Sequence, residues 1–304
     1  MLLLHLVTLL RVKLVVNLID AGAPLALTEL AKEKAVKEYS GEAKWVAYAL
    51  GNIAVSESGR QSCIAAGAPL ALTELAKEKA VKEFYYAAWN VAFALGNIAK
   101  SESGRQSCID AGAPLALTEL AKEKAVKENS NAAGNVAYAL GYISKSETGR
   151  QSCIAAGAPL ALTELAKEKA VKEYSEAAWN VSWALGKIAC SEPGRQSCID
   201  AGATLVLTEL AKEETVKENS EAARNVAAAL GHIAQSETGR QSCIDAGAPL
   251  ALTDLAKENA VKGNSEAAGW VAFALGSIAK SETGIQSCID AGALLILNAE
   301  HIQG

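Results

Sequence analysis

The chain has few of the residues, and none of the motifs, on which most catalytic and metal sites depend. Only three histidines occur in 304 residues, and they lie far apart at His5, His232 and His301. No spacing of histidine, cysteine or carboxylate residues matches a metal site, and no phosphate-binding loop or nucleophile motif is present. The sequence therefore predicts a protein that is not an enzyme and that uses no cofactor and no metal.

Strong positive charge and a membrane segment are also missing. The formal net charge is -5 at pH 7, which argues against nucleic acid as a partner. The apolar run at residues 1–19 contains Arg11 and Lys13, so it is too charged and too broken for a membrane span. It also lacks a basic leader before its apolar stretch, which argues against a secretory signal. We therefore expect neither a nucleic-acid nor a membrane partner.

The dominant feature of the chain is a repeat of 45 residues. Near-copies of residues 176–190, EAAWNVSWALGKIAC, begin at Gly41, Tyr86, Asn131, Glu221 and Glu266. Self-similarity at such a period indicates a repeat array, and the abundant Ala, Leu, Glu and Lys favour helices. We expect one all-α solenoid domain over residues 1–304. Its predicted parts are a degenerate cap at 1–10, repeats at 11–55, 56–100, 101–145, 146–190, 191–235 and 236–280, and a truncated repeat at 281–304.

Each unit is predicted to contain three helices. The short first helix follows the serine and glutamate of S-E-x-G-R-Q-S-C-I and ends before Gly67. Pro69 begins a second helix, in which Thr73 is expected to face water and Glu78 and Lys82 are spaced for an ion pair. The third helix has an apolar face at i, i+3, i+4 and i+7, and its central glycine indicates a close helix approach.

Six of the seven cysteines share one position of the repeat: Cys63, Cys108, Cys153, Cys198, Cys243 and Cys288. An even, periodic set is typical of disulfides or metal sites. However, equivalent positions on packed neighbouring helices lie about 8–10 Å apart. That is beyond the limit of roughly 7 Å between the Cα atoms of a disulfide. We therefore expect small buried thiols and a reducing compartment, either the cytoplasm or the nucleus.

Variation among the copies is confined to one side of the third helix. The positions of Ala178, Val181 and Leu185 carry the same residue in every copy, whereas those of Glu176, Trp179, Trp183, Lys187 and Cys190 change. The five changing positions fall within roughly a quarter-turn of arc on a helix, and we call them the variable stripe. A constant frame with one changing side predicts a surface that the array presents to a partner.

Most aromatic residues lie on the variable stripe or on its flank, which is the position of Trp45 and Asn180. Because Leu, Ile, Val and Ala already supply an apolar face, these rings favour a partner-binding surface, with packing between helices as the alternative. Basic residues outnumber acidic ones there, which favours an acidic peptide. The candidate binding residues are Lys44, Trp45, Tyr48, Asn52, Tyr86, Trp89, Phe93, Asn97, Tyr138, Tyr142, Trp179, Trp183, Lys187, Arg224, His232, Trp270 and Phe273.

The order and spacing of these motifs resemble the armadillo repeat over essentially the whole chain, as in SESGRQSCIDAGAPL at residues 101–115 and ALGNIA at residues 94–99. The resemblance implies a right-handed superhelix whose concave face, lined by third helices, holds an extended peptide. It also implies that an aromatic residue and an asparagine four residues later bind the peptide. Only Tyr48 with Asn52 and Phe93 with Asn97 keep that pair. A second set of asparagines is a further candidate for peptide contacts: Asn90, Asn135, Asn180 and Asn225.

Three functions are compatible with this sequence. The first is a scaffold that binds an extended peptide or protein segment, and the second is a self-associating structural array. The third is an engineered repeat protein without a natural partner, which the high identity among the repeats permits. Apolar residues at both ends, 2–10 and 293–297, predict weak head-to-tail association, or a chain that is a piece of a longer array, because solenoids need polar caps.

Overall fold

The computed structural model describes residues 17–293, and every regular element in that part of the chain is a helix. The helices recur at the predicted spacing, since equivalent first helices begin at Glu57 and at Glu102. The predicted cap at residues 1–10 and most of the apolar residues near the two ends lie outside the described residues. So do His5 and His301.

The five units between residues 56 and 280 each contain four helical segments rather than three. First helices span Glu57–Ala65, Glu102–Asp110, Glu147–Ala155, Glu192–Asp200, Glu237–Asp245 and Glu282–Asp290. Second helices span Ala23–Lys32, Ala68–Lys77, Ala113–Lys122, Ala158–Lys167, Ala203–Leu210 and Ala248–Lys257. Short segments follow at Lys34–Glu38, Lys79–Lys82, Lys124–Lys127, Lys169–Lys172, Glu214–Lys217 and Asn259–Lys262. Third helices span Ser40–Ile53, Tyr85–Ile98, Ser130–Ile143, Ser175–Ile188, Ser220–Ile233 and Ser265–Ile278.

The starts and ends of the first two helices follow from local chemistry, as predicted. The hydroxyl oxygen of Ser146 accepts a hydrogen bond of 3.1 Å from the backbone N–H of Gly149 and so caps the first helix. Gly157 adopts a φ of 76°, a left-handed conformation that glycine reaches without a steric cost. Pro159 then lies in the first turn of the second helix, where a missing N–H costs nothing.

The second helix ends earlier than the sequence pattern indicated. Glu78 is extended, with φ −72° and ψ 144°, and a one-turn segment follows it. On a continuous helix Val81 would lie about 180° from Leu72, on the opposite side from the core. The extended residue resets the helical phase, so that Val81 and Leu72 are both fully buried.

Two predictions about this region were wrong. Glu78 and Lys82 do not pair with each other: the ammonium group of Lys82 lies 3.5 Å from a carboxylate oxygen of Glu123 in the next unit. Thr73 does not face water but is fully buried, and its hydroxyl donates a hydrogen bond of 2.7 Å to the carbonyl oxygen of Pro69. The inter-unit ion pairs are partly exposed and therefore contribute little stability each.

The core is one continuous cluster that runs along the described part of the chain. Each third helix packs against the third helix of the next unit and against the second helix of its own. The constant positions fill this core, because Val181, Leu185 and Ile188 are fully buried and their equivalents in other units are buried as well. Among residues 17–293, no helix combines the length and the apolar character required to cross a membrane.

The cysteines are thiols, and six of the seven are buried. The thiol of Cys153 donates a weak hydrogen bond of 3.9 Å to the carbonyl oxygen of Leu140 in the preceding third helix. Burial raises the pKa of this thiol to about 12. Cys190, on the variable stripe, is the exposed exception.

We expect alkylation of the native protein to label Cys190 alone. A thiol reacts as its thiolate, and the buried cysteines are both shielded and protonated at neutral pH. Mass spectrometry after alkylation without reductant should show one label on the native chain and labels on all 7 cysteines after denaturation. Comparable labelling rates at Cys153 and Cys190 in the native protein would contradict the buried position of the periodic thiols.

Candidate binding surface

The rings of the variable stripe are shared between the protein interior and its surface. Trp45 and Tyr48 are 60% and 47% exposed, whereas Phe93, Tyr138 and Trp183 are half-buried. The hypothesis of a partner-binding surface and the alternative of packing between helices therefore each describe part of the arrangement. The rings pack between third helices and still present an edge or a face to solvent.

Each half-buried ring covers the central glycine of the preceding third helix, which explains the close approach predicted there. A Cβ atom on Gly96 would lie 2.5 Å from the Tyr138 ring, and one on Gly141 would lie 2.3 Å from the Trp183 ring. Any larger residue than glycine would displace the ring. The invariant glycine and the variable aromatic residue are thus two halves of one contact between neighbouring units.

Ring-to-ring contacts divide the aromatic residues into separate clusters along the stripe. Tyr142 lies 4.8 Å from Tyr138 and 4.9 Å from Trp183, measured between ring centroids. Trp89 and Trp179 instead lie partly buried against the core. The other ring clusters of the stripe and its flank are Trp45 with Tyr48, Tyr86 with Phe84 and Tyr85, and His232 with Trp270 and Phe273.

Only one of the two aromatic–asparagine pairs has an accessible amide. Asn52 is exposed, and its amide nitrogen donates a hydrogen bond of 2.8 Å to the carbonyl oxygen of Tyr48. Asn97 is only 1% exposed. Its amide nitrogen donates a hydrogen bond of 3.2 Å to the carbonyl oxygen of Gly51, and its amide oxygen accepts one of 3.1 Å from the Tyr138 hydroxyl. Burial, together with the neighbouring Tyr142, raises the pKa of Tyr138, so this hydroxyl remains a donor at neutral pH.

The second set of asparagines faces the junction between third helices. Asn90, Asn180 and Asn225 are buried, and Asn135 is half-buried. The amide nitrogens of Asn90, Asn135 and Asn225 donate to carbonyl oxygens one turn earlier in their own helices, at 2.6, 2.9 and 2.8 Å. Asn52 makes the same kind of bond but is exposed, whereas these asparagines are buried or half-buried and are therefore less available to a peptide.

The positive charges of the stripe are partly compensated within the protein. Arg224 lies between two carboxylates, 2.6 Å from Glu221 and 2.9 Å from Glu266. The ammonium group of Lys44 lies 4.2 Å from the centroid of Trp45, and Lys100 and Lys145 lie over the ring of Tyr142 at 5.7 and 5.4 Å. Such cation–π contacts hold the lysines against the rings and leave their charge available to a partner.

A depression of about 160 Å³ is lined by the third helices Ser175–Ile188, Ser220–Ile233 and Ser265–Ile278. It brings together six predicted residues and three that were not predicted. The predicted ones are Trp183, Lys187, Arg224, His232 and Trp270; Asn225 had been proposed with the second asparagine set, and Gly186, Ala228 and Glu266 are new. The sequence feature that indicates this depression is Ala228, because the equivalent position carries an aromatic residue in the other five copies of the third helix.

Histidine 232 lies within this depression as a neutral side chain. Burial lowers the pKa of His232, and the nearby positive charges of Lys187 and Arg195 lower it further. Its imidazole lies 5.5 Å from the Trp270 ring and 5.9 Å from the Phe273 ring, measured between centroids. Within residues 17–293, no group of three or more histidine, cysteine or carboxylate side chains is placed to hold a metal ion.

We expect His232 to make the protein less stable at mildly acidic pH. Its pKa is lower in the folded chain than in the unfolded chain, where it is about 6.5. The unfolded state therefore binds the proton first as the pH decreases. The contribution of the neutral His232 side chain to folding stability is complete above about pH 6.5, and it is lost as the pH falls toward the pKa of His232 in the folded state.

Urea unfolding between about pH 8 and about pH 5 measures this effect, with His232→Asn as the control. Asparagine occupies the equivalent positions at Asn52 and Asn97, so the frame accepts it. Carboxylates titrate equally in both proteins, and the wild type should therefore lose more stability than the variant on acidification. Parallel pH profiles for the two proteins would show that His232 is not the titrating group.

Helical units of this order, stacked through their third helices around one core, define an armadillo-like α-solenoid, and this chain has that fold. It is similar to engineered members of that class. A designed armadillo repeat protein solved in complex with the peptide (KR)4 superimposes with a TM-score of 0.67 at 22% identity, over 84% of this chain and 98% of that chain. This likeness confirms the predicted all-α solenoid.

Two engineered proteins of known crystal structure are also similar. One is 27% identical with a TM-score of 0.72, over 85% of this chain and 99% of that one. The other is 26% identical with a TM-score of 0.78, over 94% of this chain, which spans 65% of that protein. No family model matches the chain, and no match is found among the curated proteins.

Proposed function

We propose that this protein is a non-enzymatic scaffold that binds an extended peptide or protein segment along its variable stripe. The observation that carries the proposal is the position of the rings. The core of each unit is filled by its constant aliphatic residues, yet Trp45 and Tyr48 remain about half exposed or more on the one side of the array that varies. Exposed tryptophan and tyrosine are typical anchors of protein interfaces.

The charge of the surface supports an acidic peptide as the partner. Lys44, Lys100 and Lys145 are held against rings, and Lys187 forms no ion pair with the described residues, while Arg224 is already neutralised. A peptide with carboxylates would find several cations next to apolar rings. The designed protein that carries the (KR)4 peptide supports peptide binding by this fold, whereas the basic side chains of that peptide suit the present surface poorly.

The buried periodic thiols support a reducing compartment, and we place the protein in the cytoplasm or the nucleus on that basis. The proposal excludes nucleic acid because the chain carries a net charge of -5.

Selection from a random peptide library tests the proposed function. Peptides enriched on the wild type should bind the double variant Trp45→Ala/Tyr48→Ala at least about tenfold more weakly, because two exposed anchors are lost. The matched control is Leu70→Ala/Leu115→Ala, which removes two equally exposed apolar side chains from second helices, away from the stripe. Circular dichroism should show that both variants remain folded.

The alternatives predict other outcomes of the same selection. A self-associating array would enrich no peptide and would show a mass that increases with concentration in light scattering. An engineered scaffold without a natural partner would enrich peptides only weakly and would remain a monomer. Equal loss of binding in the stripe variant and in the control variant would contradict the variable stripe as the binding surface.

A further inference from the structure

The ring column of the variable stripe is interrupted once. Five of its six positions carry an aromatic residue: Tyr48, Phe93, Tyr138, Trp183 and Phe273. The sixth is Ala228, in the third helix Ser220–Ile233. This is the helix that borders the depression described above.

Where a ring is present, it fills the space above the glycine of the preceding third helix. A Cβ atom on Gly231 would lie 2.7 Å from the Phe273 ring, and equivalent distances at Gly51, Gly96 and Gly141 are 2.7, 2.5 and 2.3 Å. At Gly186 the nearest atoms belong to Ala229 and lie at 3.4 Å or more, which is an ordinary contact distance. The main chain thus leaves the same space at the five junctions between the described third helices, and among these only the space above Gly186 contains no ring.

The depression at this junction, which we call the Ala228 notch, has the size and the walls of a ring-binding site. Its volume of about 160 Å³ is close to the about 150 Å³ of a cavity that holds benzene, and it opens to solvent beside the polar side chains of Lys187, Arg224, Asn225 and Glu266. Trp183 borders it from the preceding helix and Trp270 from the following one, and the neutral His232 ring packs against Trp270. Three planar side chains therefore surround a space bounded by Gly186 and Ala228.

We propose that the Ala228 notch binds an aromatic side chain of a partner peptide, which takes the place of the missing ring. This inference rests on the proposed function and specifies one of its subsites. The charges around the notch exclude a basic side chain. Lys187 has no carboxylate partner among the described residues. The carboxylates of Glu221 and Glu266 both form ion pairs with Arg224. A neutral ring flanked by an acidic residue complements the notch, since Lys187 lies at its edge to receive the carboxylate.

The first experiment uses N-acetyl-tryptophanamide as the probe and amide NMR spectra of the whole chain as the readout. We expect saturable shifts, in the millimolar range, at residues that line the notch, because a single small ligand has few contacts. The variant Ala228→Phe should weaken binding of the probe by at least about tenfold. Phenylalanine is the residue found at the equivalent Phe273, so this variant should melt at or above the wild-type temperature.

A gain-of-site variant provides the matched control. Phe273→Ala removes the ring above Gly231 and should create a second notch, with new probe-dependent shifts near Gly231. N-acetyl-lysinamide, which adds positive charge beside Lys187, should cause no saturable shifts in any variant. If Phe273→Ala unfolds, the comparison of the wild type with Ala228→Phe still decides the matter.

Two results would overturn the inference: binding of the tryptophan probe to Ala228→Phe within about twofold of the wild type, or equal binding of the lysine probe. The outcome is separable from the proposed function. A library peptide that binds the wild type and Ala228→Phe equally well, but does not bind Trp45→Ala/Tyr48→Ala, would support the proposed scaffold function and contradict the proposed role of the Ala228 notch.

Discussion

Substitution of Gly149 by alanine is expected to lower the free energy of unfolding by about 3 kcal/mol. Gly149 lies in the first turn of the first helix Glu147–Ala155 and donates its N–H to the capping Ser146. A Cβ atom there would lie 1.8 Å from the carbonyl oxygen of Ile143 and 2.7 Å from its carbonyl carbon. These are backbone atoms at the end of a third helix, so they cannot rotate away. The substitution must force the two helices apart.

Gly269→Ala is the matched control for this substitution. Gly269 lies inside a third helix, and no described atom lies within 4 Å of the Cβ position. Alanine is a better helix former than glycine by about 1 kcal/mol, so this variant should be as stable as the wild type or more stable. Denaturant unfolding measures both variants. Similar stabilities would show that the tight junction relaxes at no cost.

Replacement of Leu185 by alanine should lower the free energy of unfolding by about 2–5 kcal/mol, the usual cost of a cavity in a packed core. Leu185 is fully buried in the third helix Ser175–Ile188. Because units of a solenoid contact only their neighbours, the loss should be greatest in this helix and the adjoining units. Hydrogen exchange resolved by residue, together with urea unfolding, shows where protection is lost.

Trp183→Ala is the companion variant, with the opposite balance of effects. Its ring is half-buried over Gly141 and beside Tyr142, and the frame already accepts alanine at the equivalent Ala228. We expect a smaller loss of stability, about 1–2 kcal/mol, and at least about tenfold weaker binding of selected peptides. If Trp183→Ala is destabilised as much as Leu185→Ala and binds peptide normally, the rings serve the core and not a partner.

The sequence by itself determined the architecture, because the relevant interactions are local and repeat with the chain. Ser146 caps a helix three residues away, Gly157 supplies a left-handed turn, and Pro159 begins the next helix. The constant aliphatic positions fix which side of each helix is buried. Even the break at Glu78 was encoded, since the apolar phase changes between Leu72 and Val81. The wrong prediction there came from extending a polar helical run across that change.

Only the tertiary structure decided which residues of the variable stripe are available to a partner. The Tyr138 hydroxyl donates a hydrogen bond to the buried amide of Asn97. The carboxylate of Glu266 pairs with Arg224, and Lys82 forms its ion pair with Glu123 and not with Glu78. In each case the deciding group lies about one repeat further along the chain. The Ala228 notch has the same origin, because an alanine becomes a cavity only when a glycine of the preceding unit lies beneath it. Periodicity within one helix carries no information about the offset between stacked units, and that offset sets these contacts.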